Sequence, residues 1–182
     1  LSVQPNRKYQ TDGGPDNQAI MQLLKGSDTP EDDQLAYLKA QLIFWLIGAT
    51  DGHAKNFSVF LMPGTRFKLT PLYDVLTAQP SVDAYQVGIN KFKLAMSVGK
   101  NNHYKINDIT PRHFLQTADR CAFDKTKLIG ELEQLMNNGE KAATSMMEGL
   151  PHVLPAQLMD SVLTCVAARI RSISLWAEKR LG

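Results

Sequence analysis

The sequence has 182 residues, 43% apolar and 21% charged, which suits one globular domain or lobe and excludes disordered, collagen-like and coiled-coil chains. Twenty Lys and Arg against eighteen Asp and Glu leave a net charge of +2, too small to demand nucleic acid or an anionic membrane as partner. Cys121 and Cys165 lie in stretches that read as helix interiors, outside any CxxC pair or metal spacing. Both are expected to be reduced core thiols of a cytoplasmic protein.

The longest strongly apolar run, Leu42 to Ala49, falls well short of the roughly 20 residues that span a bilayer, so no membrane is expected. The chain opens at Leu1 without a basic leader, and it is expected to be a fragment of something longer. Its first fifteen residues are polar and rich in turn formers, and read as extended. Ile20, Leu23 and Leu24 mark one face of a short helix that Gly26 closes. Thr29-Pro30-Glu31-Asp32 then places a hydroxyl at the N-cap, proline at the first helical position and acids in the first turn. The helix it opens should run to about Gly48. Leu42 to Ile47 is apolar all round, the pattern of a helix end buried on every side.

From Asn56 to Met62 the period changes to two, and Pro63-Gly64 turns the chain toward Phe67 and Leu69, which predicts a short β-hairpin. Phe92 to Val98 is strand-like within an irregular region. Three helices follow. Thr110-Pro111 opens one to about Cys121. Asp124 caps the next, with Leu128, Leu132, Leu135, Gly139, Ala142 and Met146 on one stripe and Met136, Met146 and Met147 as packing. The last begins near Pro155 and turns Leu158, Val162, Val166, Ile170, Ile173 and Trp176 inward. The fold class is therefore mainly α.

Between the apolar helix and the hairpin lies the polar loop Gly48-Ala49-Thr50-Asp51-Gly52-His53-Ala54-Lys55-Asn56, which packing explains poorly. An Asp followed five residues later by Asn is the spacing of protein-kinase catalytic loops, where the Asp takes a hydroxyl proton and the Asn oxygen ligates magnesium. The same pair also suits a capped turn. The hairpin weighs between them: strands advance about 3.3 Å per residue, so the chain travels out and returns beside itself. Thr70-Pro71-Leu72-Tyr73-Asp74 should then emerge near Asn56 with a second carboxylate. Magnesium takes few protein oxygens and completes its shell with water and phosphate, so Asn56 and Asp74 suit it and Asp51 remains free as base.

Leu46 to Phe60 together with Leu69-Thr70-Pro71-Leu72-Tyr73-Asp74 resembles the HipA family of toxin serine/threonine kinases. Tyr9-Gln10-Thr11-Asp12-Gly13-Gly14-Pro15, Lys93-Leu94-Ala95-Met96 and Pro111-Arg112-His113-Phe114-Leu115 extend the resemblance along nearly the whole chain. It implies a kinase-like helical C-terminal lobe over residues 1–182, whose hairpin carries the catalytic loop, and an N-terminal lobe outside this chain that holds the phosphate-binding loop and the ATP-binding lysine. By the same resemblance Asp51 is the catalytic base, Asn56 and Asp74 ligate Mg2+, and His53, Ala54, Lys55, Asn56, Tyr73 and Asp74 belong to the ATP site. His53 reads otherwise as a surface hydrogen bonder, Lys55 as a solvated cation, and Tyr73 as hairpin packing. Ala49-Thr50 before Asp51 and Val75-Leu76 after Asp74 depart from the His-Arg and Phe-Gly of ordinary protein kinases. His103, His113 and His152 show no ligand spacing to one another.

The function so implied is phosphorylation of a protein serine, with glutamyl-tRNA synthetase as substrate, growth arrest and multidrug-tolerant persistence as consequences, and a HipB-like antitoxin as partner. The alternative is an antitoxin-docking and operator-complex module without catalysis of its own. Asp119 and Ala122 stand near the helix after Pro111, leaving Arg120 as the nearby cation, so DNA is expected at most indirectly.

Overall fold

The structure, a computed structural model, describes residues 7–149 and 154–181. Six α-helices and two small antiparallel hairpins are present among the described residues: α1 (Asn17–Leu24), α2 (Pro30–Ile47), β1 (Val59–Met62), β2 (Arg66–Leu69), α3 (Gln79–Asp83), β3 (Lys93–Val98), β4 (His103–Lys105), α4 (Pro111–Arg120), α5 (Lys125–Glu148) and α6 (Ala156–Leu181). The chain is thus mainly α. His152 lies outside the described residues.

Helix α2 is the axis of the molecule and packs against α1, α4, α5 and α6. Tyr37, Leu38, Leu42, Phe44 and Trp45 on α2 are buried with Met21 and Leu24 of α1, Met96 of β3, Phe114 of α4 and Leu128 of α5. Large aromatics in a core bring polar tips that need partners. Trp45 Nε1 donates to the Ile106 carbonyl at 3.2 Å and the Tyr37 hydroxyl donates to Asn17 Oδ1 at 2.6 Å. A second cluster joins Leu46 of α2 to Val162, Cys165, Val166 and Ile170 of α6. The inward stripe expected for the last helix, from Leu158 to Trp176, packs as expected.

Several local expectations are corrected by packing. Thr29 does not cap the α2 backbone; its hydroxyl donates instead to Asp33 Oδ1 at 3.2 Å, and Pro30 at the first helical position starts the helix without that bond. Leu23 is 41% exposed, and Met21 takes the buried place on α1. Ile43 is 37% exposed, because helices cover α2 on the other sides and only a shallow groove faces Ile43. On α5 the inward stripe after Gly139 passes to Ala143 and Met147, which pack against α6, while Ala142 and Met146 face solvent. Cys121 ends α4 as its C-cap rather than lying inside it. Both thiols are free and buried, and burial pushes Cys121 up to about 11.

The first hairpin pairs Val59 with Leu69 and Met62 with Arg66. Its turn is made by Gly64 and Thr65, both left-handed at φ 79° and 62°. The outer end projects: Phe60 and Leu61 are 57% and 83% exposed. The hairpin therefore buries little. Its role is to return the chain to the end of α2.

Candidate active site

The loop after α2 is held from both sides. Gly48 closes the helix in the left-handed conformation, φ 69°, and a Cβ there would lie 2.7 Å from the Phe92 ring. Glycine is what that close, left-handed stop allows. The last carbonyls of α2 are not left orphaned. Leu46 O accepts from Arg169 Nη1 at 3.0 Å, and Ile47 O accepts from the Thr77 hydroxyl. Burial lowers the Arg169 pKa, and its other arm donates to Gln79 Oε1 at 3.0 Å. Gly52 is buried against Phe44, and a Cβ there would overlap that ring. The loop is pressed onto the helix that precedes it.

Beyond Gly52 the chain makes a single tight turn, Ala54–Asn56. The His53 N–H is shared between Asp51 O at 2.8 Å and Asn56 Oδ1 at 3.1 Å, and the Asn56 N–H donates to His53 O at 3.0 Å. Asn56 is 3% exposed. Its remaining donor, Nδ2, reaches Asp74 Oδ2 at 2.9 Å. Asp74 sits at φ 54°, a left-handed conformation that aspartate tolerates better than most residues. The return strand thus delivers the second carboxylate to Asn56, as the hairpin geometry predicts.

The other expected residues distribute unevenly. His53 is 5% exposed, so the reading of it as a surface hydrogen bonder does not hold. Ala54 is half-buried and Lys55 exposed. The Tyr73 hydroxyl lies 2.6 Å from Ser58 Oγ and donates to Lys55 O at 3.1 Å, strapping the segment after β2 across the turn. Asp51 is exposed, and none of its hydrogen bonds among the described residues goes to Asn56 or Asp74. It receives the Tyr9 hydroxyl at Oδ1, with His53 Nε2 at 3.6 Å and Lys8 Nζ at 4.0 Å from the same oxygen. Tyr9 and Lys8 have no role that spacing could reveal, because they stand some forty residues upstream. The bond to Asp51, more than burial, raises the Tyr9 phenol above its ordinary value.

Arg120, the nearby cation, is exposed, and its guanidinium donates within the chain to Gly99 O at 2.9 Å and Gln18 Oε1 at 3.1 Å.

Asp74 offers carboxylate oxygens and Asn56 an amide oxygen, the donor type a magnesium ion takes; the contact between them is made by Asn56 Nδ2, while Oδ1 faces the His53 N–H. Asn56 Oδ1 spends one lone pair on the His53 N–H and keeps the second. Two protein residues would leave an ion open positions for water and phosphate; among the described residues no group of three or more His, Cys, Asp or Glu converges. The residues fit such an ion.

Residues 1–143 match the model of the HipA-like C-terminal domain. The chain belongs to that family. Y4mE of Sinorhizobium fredii (strain NBRC 101917 / NGR234), a protein named as a candidate kinase, is 36% identical over 101 residues, covering 55% of this chain and 22% of Y4mE. Among solved structures, HipA of Shewanella oneidensis MR-1, in complex with HipB and operator DNA, superposes with a TM-score of 0.78 at 20% identity over 93% of this chain and 41% of HipA. The proinflammatory kinase CtkA of Helicobacter pylori superposes with a TM-score of 0.56 at 13% identity, over 100% of this chain and 68% of CtkA. At these identities the structural likeness establishes the fold alone. This HipA-like C-terminal domain spans less than half the length of Y4mE and HipA. Among the described residues no helix is long and apolar enough to cross a membrane.

Proposed function

We propose that residues 1–182 are the helical C-terminal lobe of a serine/threonine protein kinase toxin, using ATP and Mg2+ to phosphorylate a protein serine. The observation that carries the reading is the contact of Asn56 with Asp74 at the root of the hairpin, five residues after Asp51. Turn capping accounts for Asn56 but leaves an exposed aspartate in a left-handed conformation beside it without a purpose. A metal-dependent phosphotransfer site supplies one.

In this reading Asp74 and Asn56 would hold the ion, which when bound would supply charge neutralisation for the phosphate. Asp51 orients the attacking hydroxyl and takes its proton. His53, buried at the back of the loop, fixes the turn that carries Asn56, and Lys55 faces solvent where phosphate charge would lie. Phosphoryl transfer depends on positioning and charge stabilisation more than on covalent chemistry. A loop braced by Phe44, Arg169 and Thr77 suits that demand. A HipB-like antitoxin is the proposed partner, supported by the assembly in which the Shewanella HipA was solved, with DNA reached only through it. Glutamyl-tRNA synthetase is the proposed substrate, with growth arrest and persistence as consequences, on the strength of the family resemblance.

The test is to incubate the full-length protein with labelled ATP, Mg2+ and glutamyl-tRNA synthetase. Serine phosphorylation that needs Mg2+ and disappears in Asp51→Asn supports the reading. Equal incorporation by that variant sinks it.

A further inference from the structure

Among the described residues, three groups converge on one oxygen of Asp51. The Tyr9 hydroxyl donates to Oδ1, and His53 Nε2 and Lys8 Nζ stand 3.6 Å and 4.0 Å from that same atom. Oδ2 has no hydrogen-bond partner among the described residues, and the Asp51 side chain is 56% exposed. We propose that Tyr9 is a positioning residue for the catalytic aspartate: it clamps Oδ1 and so presents Oδ2 as the atom that accepts the substrate hydroxyl proton. This inference rests on the kinase reading above.

An exposed carboxylate on a loop rotates freely unless something holds it, and a hydrogen bond to a charged oxygen is among the stronger local restraints. Tyr9 can serve only if it is itself fixed. Its ring stands edge-on to His53, with centroids 5.2 Å apart and planes at 75°. Its carbonyl accepts from the Asp12 and Gly14 N–H groups at 3.1 and 2.9 Å. A Cβ at Gly14 would lie 2.7 Å from that carbonyl oxygen, so the turn needs glycine. The neighbouring Gln10 is locked to β3: its Oε1 accepts the Ser97 N–H at 2.9 Å and its Nε2 donates to Ser97 Oγ at 3.0 Å. Ser97 O in turn accepts from Asn17 Nδ2 at 2.7 Å, and Asn17 Oδ1 accepts from Tyr37 of α2 at 2.6 Å. Both ends of the Tyr9–Asp51 contact are therefore mounted on the same helix, one through this partly buried polar chain and the other through the loop that α2 feeds.

In the reaction the substrate hydroxyl gives its proton to Oδ2, its oxygen bonds to the terminal phosphorus of ATP, and the bond from that phosphorus to ADP breaks. Tyr9 keeps its proton throughout. The raised pKa of its phenol favours the protonated, donating form.

Tyr9→Phe keeps the ring against His53 and removes only the donor. In the full-length protein we expect kcat to fall roughly tenfold or more, as small misplacements of a catalytic group do, with KM for ATP and the melting temperature near wild type. A parallel loss of stability and ATP affinity would indicate a structural role and overturn the proposal. The second measurement is the pH titration of the Tyr9 ring by carbon NMR of ζ-labelled tyrosine, assigned by the peak lost in Tyr9→Phe. Its midpoint should lie above 10 and drop in Asp51→Ala; an identical midpoint in both proteins would show that the contact does not form. A full-length protein without phosphotransfer sinks the kinase reading and this inference together. An active kinase in which Tyr9→Phe keeps the wild-type kcat sinks the inference alone.

Discussion

Asn56 Nδ2 donates to Asp74 Oδ2 at 2.9 Å across an interval of 18 residues. The hairpin between them contributes little to the core and serves to close that interval. Replacing the carboxylate by an amide retains the shape of the site and removes a charge. Asp74→Asn in the full-length protein should weaken Mg2+-dependent ATP binding about 10- to 100-fold, the scale of losses around a metal site, and change binding without Mg2+ far less. Calorimetry giving equal affinity for both proteins in Mg2+ would remove Asp74 from the site.

The Asp51 side chain is exposed, so its replacement should spare the fold. Asp51→Asn is expected to retain ATP affinity and lose roughly 10²- to 10⁴-fold of phosphotransfer rate, the usual contribution of a general base. Initial rates on a serine substrate, with circular dichroism as the control on folding, check both halves.

Gly52 carries no side chain because the Phe44 ring occupies that space. Gly52→Ala must displace either Phe44, which is 2% exposed within the core, or the loop. Overpacking of this kind destabilises by about 1–3 kcal/mol, measurable by urea unfolding. An unchanged midpoint would mean that the loop stands off from the helix.

The His113 ring is 4% exposed, stacks on His103 at 3.9 Å, and accepts the Thr110 N–H at Nδ1. Burial first, then His103 and Arg112, push its pKa down from 6.5 to about 4. Between those values the unfolded chain binds a proton that the native state refuses, so stability falls as pH drops from about 6.5 to 4. Denaturant midpoints should decline across that window, and His113→Gln should flatten the slope whatever it does to the level. A slope identical in the variant would assign the acid sensitivity elsewhere.

Residues 1–182 hold the proposed base and metal ligands, and the family resemblance implies a phosphate-binding loop and an ATP-binding lysine in a separate N-terminal lobe. Purified alone, this chain should fold as a mainly helical domain and transfer no phosphate, because half a cleft provides neither clamp nor shelter from water. Phe60, Leu61, Leu76 and Tyr85 are exposed apolar side chains on it. Incorporation above background that Asp51→Asn abolishes would show the lobe to be self-sufficient.

Five of the six described helices and the loop were legible in the sequence because their causes are local; α3 (Gln79–Asp83) was not. Pro30 and Gly48 bound α2, Asp124 caps α5 by accepting from the Thr126 N–H at 2.9 Å, and the stripe from Leu158 to Trp176 repeats at helical spacing. The return of Asp74 to Asn56 was legible too, since a hairpin's outward and inward lengths must match. Periodicity names an apolar face without naming its neighbours. Ile43 and Leu23 carry the same signal as the buried Leu42 and Leu24, and only the placement of the surrounding elements leaves the first pair in solvent. The same holds for polar residues. Tyr9 and Asp51, 42 residues apart, meet because Gln10 binds Ser97 and Asn17 binds Tyr37. His103 stacks on His113 because β3, the pairing partner of β4, packs on α4. Contacts of that range follow from the packing of the whole core, which no window of sequence contains; tertiary structure alone decided which tyrosine touches the candidate base.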